Sequence, residues 1–66
     1  MKELIKKEIE NLEYLGSTEY WGSTENIENE NKIFGYYLEK KLITQDWLDS
    51  RLKHTNIERL EELLKQ

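Results

Sequence analysis

The side chains of this sequence that are best suited to chemistry are the glutamates of residues 16–31. This segment contains Gly-Ser-Thr-Glu twice, with Tyr20 and Trp21 between the copies, and it has four glutamates but no Lys or Arg. The rest of the chain carries equal numbers of acids and bases, so the whole net charge of −4 belongs to this segment. Clustered carboxylates can bind a metal ion, or they can attract the basic surface of another molecule.

The metal alternative can be compared with the calcium loop of an EF-hand. Asn26, Glu28 and Glu30 would occupy the ligand positions 1, 3 and 5 of that loop. The loop also requires Gly at position 6 and Glu at position 12, whereas this chain has Asn31 and Tyr37 there. The spacing therefore predicts no calcium loop, and we expect the protein to use neither a metal nor a cofactor.

Catalysis is also disfavoured by the available residue types. His54 is the only histidine of the chain, and there is no cysteine. General acid–base chemistry needs a titratable group beside a partner in a pocket, and a chain of 66 residues has little volume for one. Glu58 follows His54 by four residues, which predicts a surface pair at a helix junction. We therefore expect a protein that is not an enzyme.

Residues 16–31 are then best interpreted as a surface that meets a basic protein partner. Tyr and Trp are enriched at interface hot spots because they bury a large area with few rotatable bonds. The alternative is a solvated linker, with Trp21 folded back onto the core. The predicted partner-binding residues are acidic and aromatic side chains of this segment and one later tyrosine: Glu19, Tyr20, Trp21, Glu25, Glu28, Glu30 and Tyr36.

Amphipathic helices must position these side chains. Apolar residues recur at intervals of three and four, as at Ile5, Ile9 and Leu12, and this spacing is typical of a helix with one buried face. The pattern predicts a small all-α bundle of about four helices, in one domain over residues 1–66, with an acidic loop between helices 1 and 2. The predicted helices cover residues 2–15, about 27–42, 45–53 and 56–65.

Local signals indicate where these helices begin and end. Gly16 suits a helix C-terminus, Thr44 suits an N-cap, and Thr55 with Glu58 forms a capping box. Residues 17–26 are compatible with an irregular loop or with a small hairpin. The start of the second helix is open among four candidate N-caps: Ser23, Thr24, Asn26 and Asn29.

The second helix carries a glycine that needs an explanation. Its apolar stripe is predicted at Phe34, Leu38 and Leu42, and Gly35 lies within it. A glycine inside a helix costs about 1 kcal/mol relative to alanine. The usual compensation is the close approach of another group, so we expect Trp21 or Trp47 to lie against Gly35.

Size and composition limit the remaining alternatives. A chain of 66 residues without cysteine has no disulfide to stabilise it. Its stability has to come from helix packing, from self-association or from a partner, which leaves a homodimer open. No apolar run is long enough to span a membrane, so we expect a cytoplasmic protein without membrane contact. The acidic net charge also disfavours direct nucleic-acid binding, which needs clustered bases.

One segment resembles a DNA-binding motif. Residues 38–46, LEKKLITQD, are similar to the L-x-x-x-L-G-I-T turn in the helix-turn-helix of small repressors, but the glycine is missing. The next helix would present Arg51, Lys53 and His54 together with Asp46 and Asp49. Aspartates near the start of a recognition helix would repel DNA phosphates. The resemblance therefore supports an alternative and not the main hypothesis.

The sequence analysis leads to a non-enzymatic protein-binding module that regulates or inhibits a larger partner, for example one that handles nucleic acid. The composition, rich in Asn, Ile, Lys and Glu, is similar to that of accessory proteins of low-GC bacteria and their phages. An anti-CRISPR or anti-restriction protein would be one instance. The alternatives are a small dimeric helix-turn-helix-like DNA-binding regulator and a homo-oligomeric structural or assembly protein.

Overall fold

The computed structural model describes residues 1–15, 17–51 and 53–66, and all regular elements of these residues are helices. They are α1 (Lys2–Tyr14), α2 (Ser17–Tyr20), α3 (Thr24–Glu39), α4 (Gln45–Ser50) and α5 (Asn56–Leu64). The predicted small all-α bundle is therefore confirmed, with α2 as an additional single helical turn. The predicted role of Gly16 as a helix terminus falls outside the described residues.

Helix α1 lies at the centre of the fold and packs against α2, α3 and α5. The start of α1 lies beside the end of α5, where Nζ of Lys2 donates to the carbonyl oxygens of Leu64 and Gln66 at 3.3 and 2.7 Å. The two helices therefore run antiparallel. The core is a single cluster of buried side chains from four helices and the turn after α3. Its members are Ile5, Leu12, Tyr20, Ile33, Tyr37, Ile43, Leu60 and Leu63.

Hydroxyl caps start three of the helices. The side chain of Ser23 accepts from the backbone N–H of Asn26. Thr44 and Thr55 cap α4 and α5 in the same way, at 3.0 and 3.2 Å from the N–H groups of Trp47 and Glu58. The predicted caps at Thr44 and Thr55 are confirmed, and Ser23 is selected from the four candidates for α3. Each such cap stabilises its helix by about 1 kcal/mol.

The segment between α1 and α3 is neither the irregular loop nor the hairpin considered for residues 17–26. It consists of the helical turn α2, a short turn at residues 21–23, and the first residues of α3. Gly22 has a φ of 82°, a conformation that glycine adopts without a steric penalty. Its N–H donates to Oδ1 of Asn26. All four glutamates of residues 16–31 therefore lie on helices, Glu19 on α2 and the other three on α3.

Helix α3 ends at Glu39, earlier than the predicted limit near residue 42. Lys41 has a φ of 59°, and the N–H groups of Lys41 and Leu42 donate to the carbonyls of Leu38 and Tyr37. This pattern is a Schellman motif with lysine in the left-handed position usually taken by glycine. The absence of a glycine signal explains why the sequence did not reveal this end. Leu42 consequently lies outside the helix and is exposed.

Two further expectations for α3 are corrected by its orientation. The buried face of α3 carries Asn26, Ile33 and Tyr37, whereas Phe34 and Leu38 lie on its flank and are only partly buried. A Cβ atom added to Gly35 would have no contact within 4 Å among the described residues, apart from its own helix and chain neighbours. The expected approach of Trp21 or Trp47 to Gly35 is therefore wrong. Helix α4 also ends earlier than predicted, at Ser50.

Candidate functional site

Three of the predicted partner-binding glutamates form an exposed acidic surface, which we define as Glu19, Glu25 and Glu28 with Trp21. Glu19 lies on α2, Glu25 and Glu28 lie on α3, and Trp21 lies in the turn between these helices. All four side chains are exposed. Because residues 16–31 contain no Lys or Arg, no base of this segment neutralises the surface.

A hollow of about 440 Å³ brings Glu19 and Glu25 to the same place, although six residues separate them in sequence. Leu15, Tyr20, Ser23 and Thr24 also line the hollow. Leu15 is 58% exposed, so the hollow has an apolar wall open to solvent. The arrangement combines negative charge with an accessible apolar side chain, as protein-binding surfaces often do.

The adjacent aromatic residues Tyr20 and Trp21 differ in burial. Trp21 is 40% exposed, and its indole Nε1 donates to the carbonyl of Leu12 at 3.4 Å. It therefore lies against the end of α1 and does not belong to the core. Tyr20 is only 5% exposed and is a member of the core. Trp21 is thus not the core plug, whereas Tyr20 is largely buried, and its role as a partner contact stays a prediction.

The hydroxyl of Tyr20 donates to Oε1 of Glu8 at 2.5 Å, and Glu8 is fully buried on α1. Two amides complete the surroundings of the Glu8 carboxylate. Nδ2 of Asn26 donates to Oε2 at 2.7 Å, and Nδ2 of Asn29 donates to Oε1 at 2.8 Å. The carboxylate is therefore held by uncharged donors from α2 and α3. Hydrogen bonds to a charged acceptor are about twice as strong as those between neutral groups, which allows a buried carboxylate without a bonded base.

Sequence analysis missed Glu8, although a signal was present. Glu8 follows Ile5 by three residues and precedes Leu12 by four, so it occupies a position in the apolar stripe of α1. A charged residue at such a position needs buried partners. Asn26 and Asn29 lie three residues apart on one face of α3 and supply two of them. A glutamate within a stripe, combined with a second helix rich in asparagine, is the pattern that could have revealed the network.

Glu30 lies at the other end of the same network and connects α3 with α5. Its Oε2 accepts from Nδ2 of Asn26 at 2.5 Å and from Nδ2 of Asn56 at 2.8 Å. Burial raises the pKa of Glu30, while the Asn26 hydrogen bond and the nearby Arg59 guanidinium act in the opposite direction. Glu30 thus connects two helices and is half-buried, and its role as a partner contact stays a prediction.

The pKa shift of Glu30 predicts a pH dependence of stability. Because the folded state raises this pKa above its ordinary value of 4.5, folding favours the protonated carboxyl. The contribution of Glu30 to the free energy of unfolding is therefore fully present below pH 4.5. It is lost as the pH rises through the folded-state pKa. Glu30→Gln keeps an oxygen that accepts from both asparagines, so we expect it to be at least as stable as wild type at pH 7. Urea unfolding at pH 4.5 and pH 7 measures the difference.

Glu28→Gln provides the matched control for this experiment, because Glu28 is exposed on the same helix. We expect this variant to keep the pH dependence of wild type between pH 4.5 and pH 7. If Glu30→Gln is less stable than wild type at pH 7, the negative charge of Glu30 stabilises the fold and the assignment is wrong.

Tyr36 does not join the acidic surface. It follows Glu25 by eleven residues, about 16 Å along the axis of α3 at 1.5 Å per residue. Its ring contacts the ring of Tyr37 edge to face, at 5.6 Å between centroids, and Nζ of Lys40 lies 5.9 Å from its centroid. Of the seven predicted residues, the structure brings Glu19 and Glu25 together at one hollow, with the buried Tyr20 in its wall. Trp21 in the turn and Glu28 on α3 are exposed, and Glu30 and Tyr36 lie elsewhere.

The residues behind the alternative hypotheses have contacts within the chain. Arg51 forms an ion pair from Nε to Oε2 of Glu62 at 2.6 Å, and its guanidinium carbon lies 4.3 Å from the centroid of the Trp47 ring. The helix that would read DNA, α4, has six residues. His54 lies 3.6 Å from Glu58, as predicted for a surface pair. The described residues contain no group of three or more His, Cys, Asp or Glu side chains suited to a metal ion.

Among residues 1–15, 17–51 and 53–66, no helix has the length and apolar character needed to cross a membrane. No known protein family, curated protein or solved structure matches this chain. The geometry of its own residues is therefore the basis for a functional proposal.

Proposed function

We propose that this protein is a small non-enzymatic binding module that regulates or inhibits a larger protein partner with a basic surface. The observation that carries the proposal is the acidic surface itself. Glu19, Glu25 and Glu28 are exposed beside a partly exposed Trp21, in a segment without any base. These three glutamates accept none of the hydrogen bonds of the buried network, whereas Glu30 is half-buried and accepts from Asn26 and Asn56.

Charge and apolar contact support complementary parts of this function. A negative surface accelerates the encounter with a basic partner and disfavours acidic ones. Charged side chains at the edge of an interface add little affinity by themselves, because solvent screens them. Trp21 and the 58% exposed Leu15 offer apolar area that a partner can bury. A partner that binds nucleic acid has such a basic surface, so an anti-CRISPR or anti-restriction inhibitor remains one instance of the proposed class.

Charge reversal tests the proposal. The triple variant Glu19→Lys, Glu25→Lys and Glu28→Lys is compared with wild type as immobilised bait in a host lysate, and bound proteins are identified by mass spectrometry. We expect the partner to be retained by wild type and lost from the triple variant. With the purified partner, we expect the association rate at low salt to fall by a factor of about 10 to 1,000.

The matched control reverses three exposed glutamates elsewhere: Glu10→Lys, Glu39→Lys and Glu61→Lys. This variant has the same net charge as the test variant, so it separates the effect of the acidic surface from that of total charge. Equal binding by both variants would contradict the proposal. A gel shift with duplex DNA that weakens with salt and is lost in Arg51→Glu would instead support the DNA-binding alternative.

A further inference from the structure

An open groove of about 560 Å³ lies between α3, α4 and α5. Its walls include Phe34 and Leu38 from α3 and Leu48 from α4, which are all only partly buried. None of residues 45–50 of α4 is buried. Helix α4 therefore leaves the space between itself and α3 open, and the apolar walls stay accessible.

Gly35 lies in this groove, and the interior of the protein does not explain it. An added Cβ atom would meet open space among the described residues, so no close packing within the chain requires glycine. A glycine at this point leaves the backbone of α3 accessible at the bottom of the groove. A second helix could approach α3 here more closely than it could past any larger side chain.

The apolar stripe of the groove continues beyond the cavity toward the acidic surface. Ile27, Phe34 and Leu38 are spaced by seven and four residues, which places them on one side of α3. Ile27 is 50% exposed. The stripe extends over about 16 Å from Ile27 to Leu38, at 1.5 Å per residue. This length corresponds to about three turns of a helix packed alongside.

The charges along this stripe determine what kind of helix would fit. Arg59 lines the groove, but its guanidinium donates to Asn56 and lies 5.7 Å from the centroid of the Phe34 ring. Among the described charged residues that line the groove, only Asp49 of α4 is exposed, and its charge is negative. Complementarity then requires apolar side chains on one face of the occupant and Lys or Arg on its borders.

We propose that the groove binds a basic amphipathic helix of the partner, which inserts apolar side chains between α3 and α4 and packs against Gly35. This inference rests on the proposed function and names the segment that the partner contributes. Helix-in-groove recognition uses anchors spaced by three, four and seven residues. The acidic surface then provides electrostatic attraction, and the groove provides apolar contact.

A synthetic peptide of defined chemistry tests the groove. The probe is a 14-residue helix of Leu, Lys and Ala, with leucines at positions 1, 4, 5 and 8, and a scrambled peptide of the same composition is the control. Binding to the ¹⁵N-labelled full chain is followed by NMR. We expect chemical-shift changes at Phe34, Leu38 and Leu48 with the helical probe and not with the scrambled one.

Gly35→Leu is the blocking variant, because its side chain would fill the space in front of α3. We expect at least ten-fold weaker binding of the probe, with the helical circular dichroism signal of wild type retained and a melting temperature no lower than that of wild type, because leucine also favours the helix over glycine. Gly35→Ala is the matched control. It should melt at a higher temperature than wild type because alanine favours the helix. Its affinity for the probe should decrease less than that of Gly35→Leu.

The outcomes distinguish this inference from the proposed function. Chemical-shift changes confined to Glu19, Glu25 and their neighbours would show that the probe binds the acidic surface. They would contradict the groove as the binding site. Equal affinity of wild type and Gly35→Leu would have the same meaning. If sedimentation shows a dimer of the free protein that Gly35→Leu dissociates, a second copy occupies the groove and the proposed occupant is wrong. The loss of lysate partners through charge reversal is measured separately and can fail independently.

Discussion

Glu8→Ala is expected to leave the protein largely unfolded at 25 °C. The substitution removes the acceptor for Tyr20, Asn26 and Asn29, and it leaves the Tyr20 hydroxyl and one N–H of each amide without this partner, although Asn26 still donates to Glu30. Each such group costs about 1–3 kcal/mol. Small domains have a total stability at or below the low end of the 5–15 kcal/mol that is usual for folded proteins. The loss of the Glu8 carboxylate should therefore remove most of the free energy of unfolding.

Urea unfolding followed by circular dichroism measures this effect. The matched control is Glu10→Ala, because Glu10 is exposed on the same helix. We expect this control to change the free energy of unfolding by no more than about 0.5 kcal/mol. If Glu8→Ala is as stable as Glu10→Ala, the buried carboxylate network does not hold the helices together.

Glu8→Gln provides a second, milder test of the same network. Both carboxylate oxygens accept hydrogen bonds, Oε1 from Tyr20 and Asn29 and Oε2 from Asn26. Glutamine replaces one of them with an NH₂ group that faces a donor. We therefore expect a stability between those of wild type and Glu8→Ala, which shows that the acceptor chemistry matters and not only the volume of the side chain.

Tyr20→Phe is expected to lower the free energy of unfolding by about 1.5–3 kcal/mol, the usual contribution of a hydrogen bond to a charged group. The ring remains in the core, but the hydroxyl that donates to Glu8 is lost. Thermal and urea unfolding measure the change. Tyr36→Phe is the matched control, because Tyr36 is partly exposed and lies away from Glu8; we expect it to have the stability of wild type.

The same pair of variants separates the fold from the binding site. We expect Tyr20→Phe, under conditions where it is folded, to bind the partner as wild type does, because its hydroxyl does not reach the surface. A selective loss of binding without a loss of stability would restore Tyr20 as a contact residue.

Burial and the Glu8 hydrogen bond raise the pKa of Tyr20, and burial also raises that of Tyr37. These two tyrosines should therefore ionise last in an alkaline absorbance titration of the folded protein.

The buried network also determines the shape of the proposed binding surface. Glu8 on α1 holds Tyr20 of α2 and the asparagines of α3. The same helices carry Glu19, Glu25 and Glu28 on their outer sides. The internal polar contacts therefore position the external charges. We expect substitutions in the network to impair partner binding only through loss of the folded structure.

Local patterns were sufficient to predict the helical fold and much of its core. The periodicity of apolar residues in α1 and α5, together with the caps at Thr44 and Thr55, depends on contacts between residues three or four positions apart. Such contacts are present in any helix of that sequence, whatever its neighbours are. The acidic character of residues 16–31 is likewise a property of composition. It remains after folding as the exposed Glu19, Glu25 and Glu28.

Only the tertiary structure decided which polar residues enter the interior. Tyr20 and Trp21 are adjacent aromatic residues, yet α2 turns the first into the core and leaves the second 40% exposed. Glu28 and Glu30 are both glutamates of the same segment, but Asn26 and Asn56 donate hydrogen bonds to Glu30 and not to Glu28. Glu8 is buried because donors from two other helices reach it. A buried charge depends on partners distant in sequence. Local spacing can show that Glu8 needs such partners, but only the packing of α1 against α2 and α3 decides which donors reach it.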